Sequence, residues 1–250
     1  MKKLSTTMLA LLIAVLCLAQ KKVDFSISLQ QGKPLQYEMI TKTDLEGPEN
    51  IMMDMRMQMT FDPINITDTT INAKVNYSNF KMDMSAGMMT MSYDSSQEPQ
   101  NEMTLALATS ITPLLENTLS LTMDKKGKIS SIDFPNVPDQ AFDKSTMLYL
   151  TTSFPDKTIS IGETWTDIKT IGQLGVTMKI TNTLMEKTAD GYKISNTGIL
   201  VDSNGNEIGS MNGFTLINEK THFTKASSTN SKMEIHGQTI VLSTEIKEIN

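Results

Sequence analysis

The stretch from Met52 to Met59 reads MMDMRMQM, with Met53, Met55, Met57 and Met59 at every second position and Asp54, Arg56 and Gln58 between them. Period two is the repeat of an extended strand, whose successive side chains point to opposite faces; a helix of period 3.6 would scatter them around its circumference. The same alternation recurs at Leu35, Tyr37 and Met39, at Ile71, Ala73, Val75 and Tyr77, and at Met89, Met91 and Tyr93. A chain patterned in this way is confined to half-buried antiparallel strands. Phe61 extends the first run and Pro63 is expected to end it. Between Tyr77 and Phe80 the parity slips, because Phe80, Met82 and Met84 fall on the opposite count. One extra residue there, a β-bulge, would return both apolar sets to the same face.

Two segments depart from the alternation. Met103 to Asn117 is apolar around much of its circumference and contains Pro113; it fits a short buried helix or a strand, and the helix is favoured. Pro138 to Phe154 carries Ala141, Phe142, Ser145, Leu148 and Tyr149 at helical spacing. Leu119 to Met123 and Lys128 to Ile132 form a hairpin across Lys125, Lys126 and Gly127. Beyond Trp165, Val176, Met178, Ile180 and Leu184 are expected to pair with Tyr192, Ile194 and Leu200. Phe214 and Leu216 lead to Asn218, Glu219 and Lys220 and the strand around Phe223, and Met233 and Ile235 turn at His236 and Gly237 into Ile240 and Leu242. The expected fold is mainly β with minor α: a large curved antiparallel sheet or half-barrel, with one or two helices against its concave face. One domain over residues 20–250 is expected. Two stretches, about 33–135 and 160–249, read as candidate distant repeats joined by a helical segment at 138–154.

The N-terminus carries Lys2 and Lys3, an apolar run from Met8 to Ala19, and then Gln20. The run is too short to span a bilayer, which takes ~20 residues, and it reads as an export signal cut after Ala19. Lipidation of Cys17 is the competing reading, disfavoured by the large Leu16 before it. Cleavage would remove the only cysteine, and with it thiol catalysis and cysteine-based metal sites. The expected location is the periplasm, cell envelope or exterior. The net charge of −6 becomes about −8 once Lys2 and Lys3 are gone. An acidic chain without a basic block is a poor nucleic-acid binder, and no later run is apolar enough for an integral membrane protein.

No catalytic residues stand out. His222 and His236 lie in or beside hairpins and are not paired by spacing. No nucleophile elbow, zinc helix or phosphate loop is present, so an enzyme is not expected and no cofactor is implied. Asp202 to Glu207 offers oxygens at alternate positions, but its glycine falls at the fourth place where a calcium loop needs it at the sixth. A plain Asn-Gly turn is the simpler reading.

The methionines remain. The chain has 20, half of them between Met52 and Met91. Thioethers are flexible and polarisable, and they serve either as core filler or as a surface for varied apolar groups. The candidate ligand-facing residues are therefore Met53, Met55, Met57, Met59, Phe61, Phe80, Met82, Met84, Met89 and Met91. The favoured partner is a lipid, or a lipidated or otherwise apolar ligand. A structural or interaction module with a fully packed core is the alternative. Binding of Cu(I) or Ag(I) through Met55 and Met57 ranks third, because soft thioethers suit those ions.

The segment Phe154 to Trp165, FPDKTISIGETW, adds a likeness. Its Pro155, Ile161, Gly162, Glu163 and Trp165 resemble the junction in an uncharacterised family of exported, β-rich Bacteroidota proteins built of two β-rich halves. That resemblance implies export and a β-rich fold and brings no catalytic residues. The layout is also similar to the open β half-barrels of lipid and lipoprotein carriers, an architectural likeness only. Asp68, Thr69 and Thr70 match a short pattern used for O-glycosylation in exported Bacteroidota proteins, which makes Thr69 a candidate for that modification.

Overall fold

A computed structural model of the chain describes residues 22–47, 50–137, 147, 150–171, 175–235 and 237–249. The expected export signal, with Cys17, and most of the expected helical segment at 138–154 lie outside them. Of that segment Met147 and Leu150 are buried, and Thr151 to Phe154 carry no helix.

Twelve strands form one antiparallel sheet. They are β1 Leu35–Glu46, β2 Ile51–Ile66, β3 Thr70–Ala86, β4 Met89–Asp94, β5 Leu119–Asp124, β6 Ile129–Asp133, β7 Thr164–Ile171, β8 Val176–Thr188, β9 Gly191–Val201, β10 Glu207–Ile217, β11 Thr224–Ile235 and β12 Gln238–Ile249. One α-helix is described, α1 at Glu102–Glu116. The sheet is open, running β6-β5-β3-β2-β1-β12-β11-β10-β9-β8-β7, with β4 beside the far end of β3. The first and last strands therefore meet at its centre, in register from Gln36 opposite Ile249 to Glu46 opposite Thr239. Two meandering arms extend from that seam.

The arms curl toward each other. β5 and β9 are seven strand spacings apart along the sheet, roughly 33 Å if it were flat. Yet the short segment Val23 to Leu29 touches both arms. The Ile27 N–H donates to Lys125 O beyond β5 at 2.7 Å, and the Phe25 ring lies edge-on to Tyr192 of β9 at 5.2 Å. Glycine permits part of the bend: a β-carbon on Gly213 of β10 would lie 2.1 Å from Ser228 O of β11, and one on Gly209 would lie 2.2 Å from Lys232 O. Only residues without a side chain allow the strands to approach in this way.

The bulge between Tyr77 and Phe80 is present. Asn79 takes a left-handed φ of 52°, the β2–β3 register shifts between Arg56 and Gln58, and Asn79 Nδ2 donates to Gln58 Oε1 at 2.6 Å. Tyr77 and Phe80 are both buried as a result. One expectation is corrected. Pro63 does not end β2, which continues to Ile66 through a register shift between Pro63 and Asn65. Such a shift is where a strand accommodates a residue without an N–H, and Pro63 O accepts from Gly32 N at 2.9 Å. In β10 the inward parity is Met211, Thr215 and Ile217, while Phe214 is 40% exposed. The outward Phe214 is instead covered by the Lys193 ammonium, 5.6 Å from its ring centre, an arrangement that stabilises an exposed aromatic.

Helix α1 starts where the sequence supplies a cap. Asn101 Oδ1 accepts from Thr104 N at 2.9 Å, and Thr104 Oγ1 accepts from Asn101 N at 3.1 Å, a reciprocal box that satisfies helix-end donors. Leu107, Ala108, Ile111 and Leu115 pack against the sheet core and Leu114 is buried within it.

Candidate functional site

The cross-strand register places the thioethers in rows on the inner face. Met53 of β2 is opposite Met84 of β3, which is opposite Met91 of β4. One step along the strands, Met55, Met82 and Tyr93 form the next row. Met57 then meets Met39 of β1, and Met59 lies between Tyr37 and Tyr77. Burial grades along this series. Met59, Phe61 and Phe80 are fully buried, Met57 and Met82 nearly so, Met53, Met55, Met84 and Met91 are half-buried, and Met89 is 51% exposed.

The chain itself fills the deep end. Phe61 packs on Phe223, ring centres 4.9 Å apart. The Tyr37 hydroxyl donates to Thr224 O at 2.7 Å, and the Tyr77 hydroxyl donates to Met147 Sδ at 3.4 Å. Burial pushes both phenols above their ordinary range. Phe25, Ile27 and Leu29 lie in the same cluster. Of the ten sequence candidates, then, Met57, Met59, Phe61, Phe80 and Met82 are core, and Met53, Met55, Met84, Met89 and Met91 form the open end of one face. Met55 and Met57, the suggested soft-metal pair, stand in different surroundings, one half-buried and one buried.

Across the seam the face changes character. The row that begins at Met55 continues through Thr41 of β1, Thr244 of β12 and Thr229 of β11. It passes Gly213 and reaches Asn196 of β9 and Asn182 of β8. The Asn196 amide donates to Asn182 Oδ1 at 2.7 Å, and the Thr215 hydroxyl donates to Asn196 Oδ1 at 3.0 Å. Beside them Lys169 Nζ donates to Thr151 O at 2.9 Å and lies 3.8 Å from Asp167 Oδ2. Burial pulls the Lys169 ammonium below the usual lysine range, opposed by Asp167. A cavity of about 30 Å³ sits among Thr151, Asp167, Asn182, Asn196, Ser227 and Thr229, room for little more than a water molecule. This polar belt separates two buried apolar clusters, the larger one around Phe61 and a second one of Val176, Met178, Leu200, Met211 and Met233. No local pattern announces this belt, because Asn182 and Asn196 in a strand look like solvent-facing residues until their pairing is known.

The remaining candidates have local roles. His222 holds its Nδ1 against the backbone of Ser26, 3.1 Å from N and 3.0 Å from O, and its ring meets Phe25 edge-on. His236 lies outside the described residues. Asp202 accepts from Asn204 N, Asn206 N and Asn206 Nδ2, which closes its turn and lowers its carboxyl pKa, the Asn206 side chain contributing most. Among the described residues no group of three His, Cys, Asp or Glu converges as a metal set, and no helix is long and apolar enough to cross a membrane. Thr69 is exposed at the β2–β3 connection, where its N–H donates to Thr67 Oγ1. In the Phe154–Trp165 segment Ile159 bridges Val23, Glu163 accepts from Ser160 N and pairs with Lys157, and the Trp165 indole donates to Ser153 O at 2.8 Å. These residues turn the chain into β7.

Comparison with known proteins locates part of this architecture. The model of a family of unknown function, DUF6263, matches residues 68–146, less than half of the chain; the Phe154–Trp165 segment lies outside the match. Curated proteins gave no match. Among solved structures the fold is similar to one described as lipid-protein interactions in lipovitellin, with a TM-score of 0.58 and 13% identity over 89% of this chain and 26% of that one. The chain thus spans about a quarter of that protein, and at this identity the likeness is one of fold alone. The family match covers β3 to β6 with α1, and so two of the three strands that carry the open thioether row.

Proposed function

We propose that this is an exported, non-enzymatic binding protein of the cell envelope that takes an apolar ligand, a lipid or a lipidated partner, against the open thioether end of its inner face. The observation that carries the reading is the half-exposed row of Met53, Met84 and Met91 on a face whose deeper rows are buried. Methionine repacks around apolar groups of differing shape, and an apolar ligand there would cover surface that the chain leaves partly wet. The likeness in fold to a solved lipovitellin supports it as analogy. The second reading, a structural module without a small ligand, draws on the burial of Met57, Met59, Phe61, Phe80 and Met82 by the chain's own side chains.

The two separate experimentally. Protein purified without detergent or solvent should carry apolar molecules in its native mass spectrum, or bind a fluorescent fatty-acyl probe with saturation. Met53→Glu and Met84→Glu should abolish that binding, because each places a charge on the apolar face. Absence of both co-purified ligand and probe binding in the parent chain would reject the binding role in favour of the module.

A further inference from the structure

Six methionines, Met53, Met55, Met82, Met84, Met89 and Met91, share one face of three adjacent strands. Three of them, Met53, Met84 and Met91, are direct cross-strand neighbours, one from each strand, and all three are half-buried. Adjacent strands stand ~4.8 Å apart, and a methionine arm has three rotatable bonds beyond its backbone. Sulfurs from the outer strands can therefore converge over the middle one without backbone movement. Packing does not account for all the methionines here. At the tip of the same hairpin Met88 is fully exposed and Met89 is 51% exposed, positions where the side chains bury little. The charged neighbours Asp54 and Asp83 pair with each other on the opposite face, so the thioether face offers sulfur without competing carboxylates.

We propose that Met53, Met84 and Met91 form a three-thioether site for a monovalent soft metal ion, Cu(I) or its analogue Ag(I). Thioether sulfur selects these ions over harder divalent cations. The three ligands come from three strands, and the half-exposed position leaves a route in past Met88 and Met89. The site shares residues with the apolar-ligand reading and differs from it in chemistry: a leucine keeps the volume and the apolar surface and removes the sulfur.

The test titrates the full chain with Ag(I) alone, by calorimetry and by the ε-methyl resonances of its methionines, and repeats the measurement with Cu(I) against a chromophoric chelator. One ion is expected per chain, with the Met53, Met84 and Met91 resonances shifting together. The M53L/M84L/M91L variant should lose metal binding while keeping its thermal unfolding midpoint, because leucine keeps the apolar volume and removes the sulfur. M57L/M59L, which changes buried methionines, should keep metal binding. If the triple variant does not fold, Met84→Leu alone removes the central ligand and should weaken binding. No Ag(I) binding by the parent, unchanged binding by the triple variant, or equal loss in M57L/M59L would each overturn the site.

Discussion

Single residues show how closely this sheet's chemistry follows its register. Tyr37 is buried on β1 and its hydroxyl serves Thr224 O across the seam. Tyr37→Phe removes the donor and leaves a buried carbonyl bare, a loss of about 2 kcal/mol, to be read as a lower urea midpoint at unchanged slope. Asp94 at the end of β4 accepts from Lys81 and Ser96, and these bonds, the lysine's first, hold its carboxyl down at about 2. A carboxylate whose folded value lies below its unfolded one stabilises the fold above the unfolded value of about 4, and that contribution is lost as pH falls through the folded value. Asp94→Asn should therefore lower the melting temperature at pH 6, and the gap to the parent should close between about pH 4 and pH 2. A gap independent of pH would mean that the ionised carboxylate is not what matters. The alternation of thioethers with Asp54, Arg56 and Gln58 announced the strand without ambiguity. Half-burial of Met53 against full burial of Met59 was not legible, since both are methionines of one parity; the difference comes from Phe25, Phe223 and Met147, which reach this face from distant parts of the chain.

At the scale of elements, bulges and glycines decide which face a side chain meets. Deleting Asn79 would remove the bulge and shift the rest of β3 by one residue. Phe80, Met82 and Met84 would then turn outward and Lys81 and Asp83 inward. The expected outcome is failure to fold, seen as loss of the cooperative thermal transition. Asn79→Gly, which keeps the count and suits the left-handed φ, should fold. The slip in parity between Tyr77 and Phe80 made this bulge readable in advance. β10 is the opposite case. Phe214 and Leu216 are apolar and share one parity, yet the inner parity is Met211, Gly213, Thr215 and Ile217. Hydrophobicity misleads there because the crease between β10 and β11 admits only glycine at two inner positions and the neighbouring belt requires a hydroxyl. Pro63 stays within β2 for a related reason: a bulge lets a strand pass through a proline.

For the whole molecule the decisive fact is the seam, where β1 lies between β2 and β12. β12 is the last strand in sequence but is not an edge. Removing Gln238–Ile249 should leave β1 and β11 with bare edges, divide the sheet into two arms, and yield aggregates in gel filtration. Removing the true edge strand β6, Ile129–Asp133, should do less harm to the sheet, and a folded, monodisperse β12 deletion would show that the seam does not hold the arms together. One sequence read alone offers the strands and their faces. It does not offer their order, because pairing between residues some 200 positions apart leaves no local periodicity behind.

The seam also sets a timetable. Each arm is a meander whose neighbours lie close in sequence, so each can begin to assemble by local closures. Joining them requires closing a loop that contains nearly the whole chain, and the entropy of that closure is met only when β12 is present. The final docking of β12 against β1 is therefore expected to be the slow, late step. Until it occurs, the belt of Thr41, Thr244 and Thr229 does not exist as a surface, and neither arm presents the complete inner face.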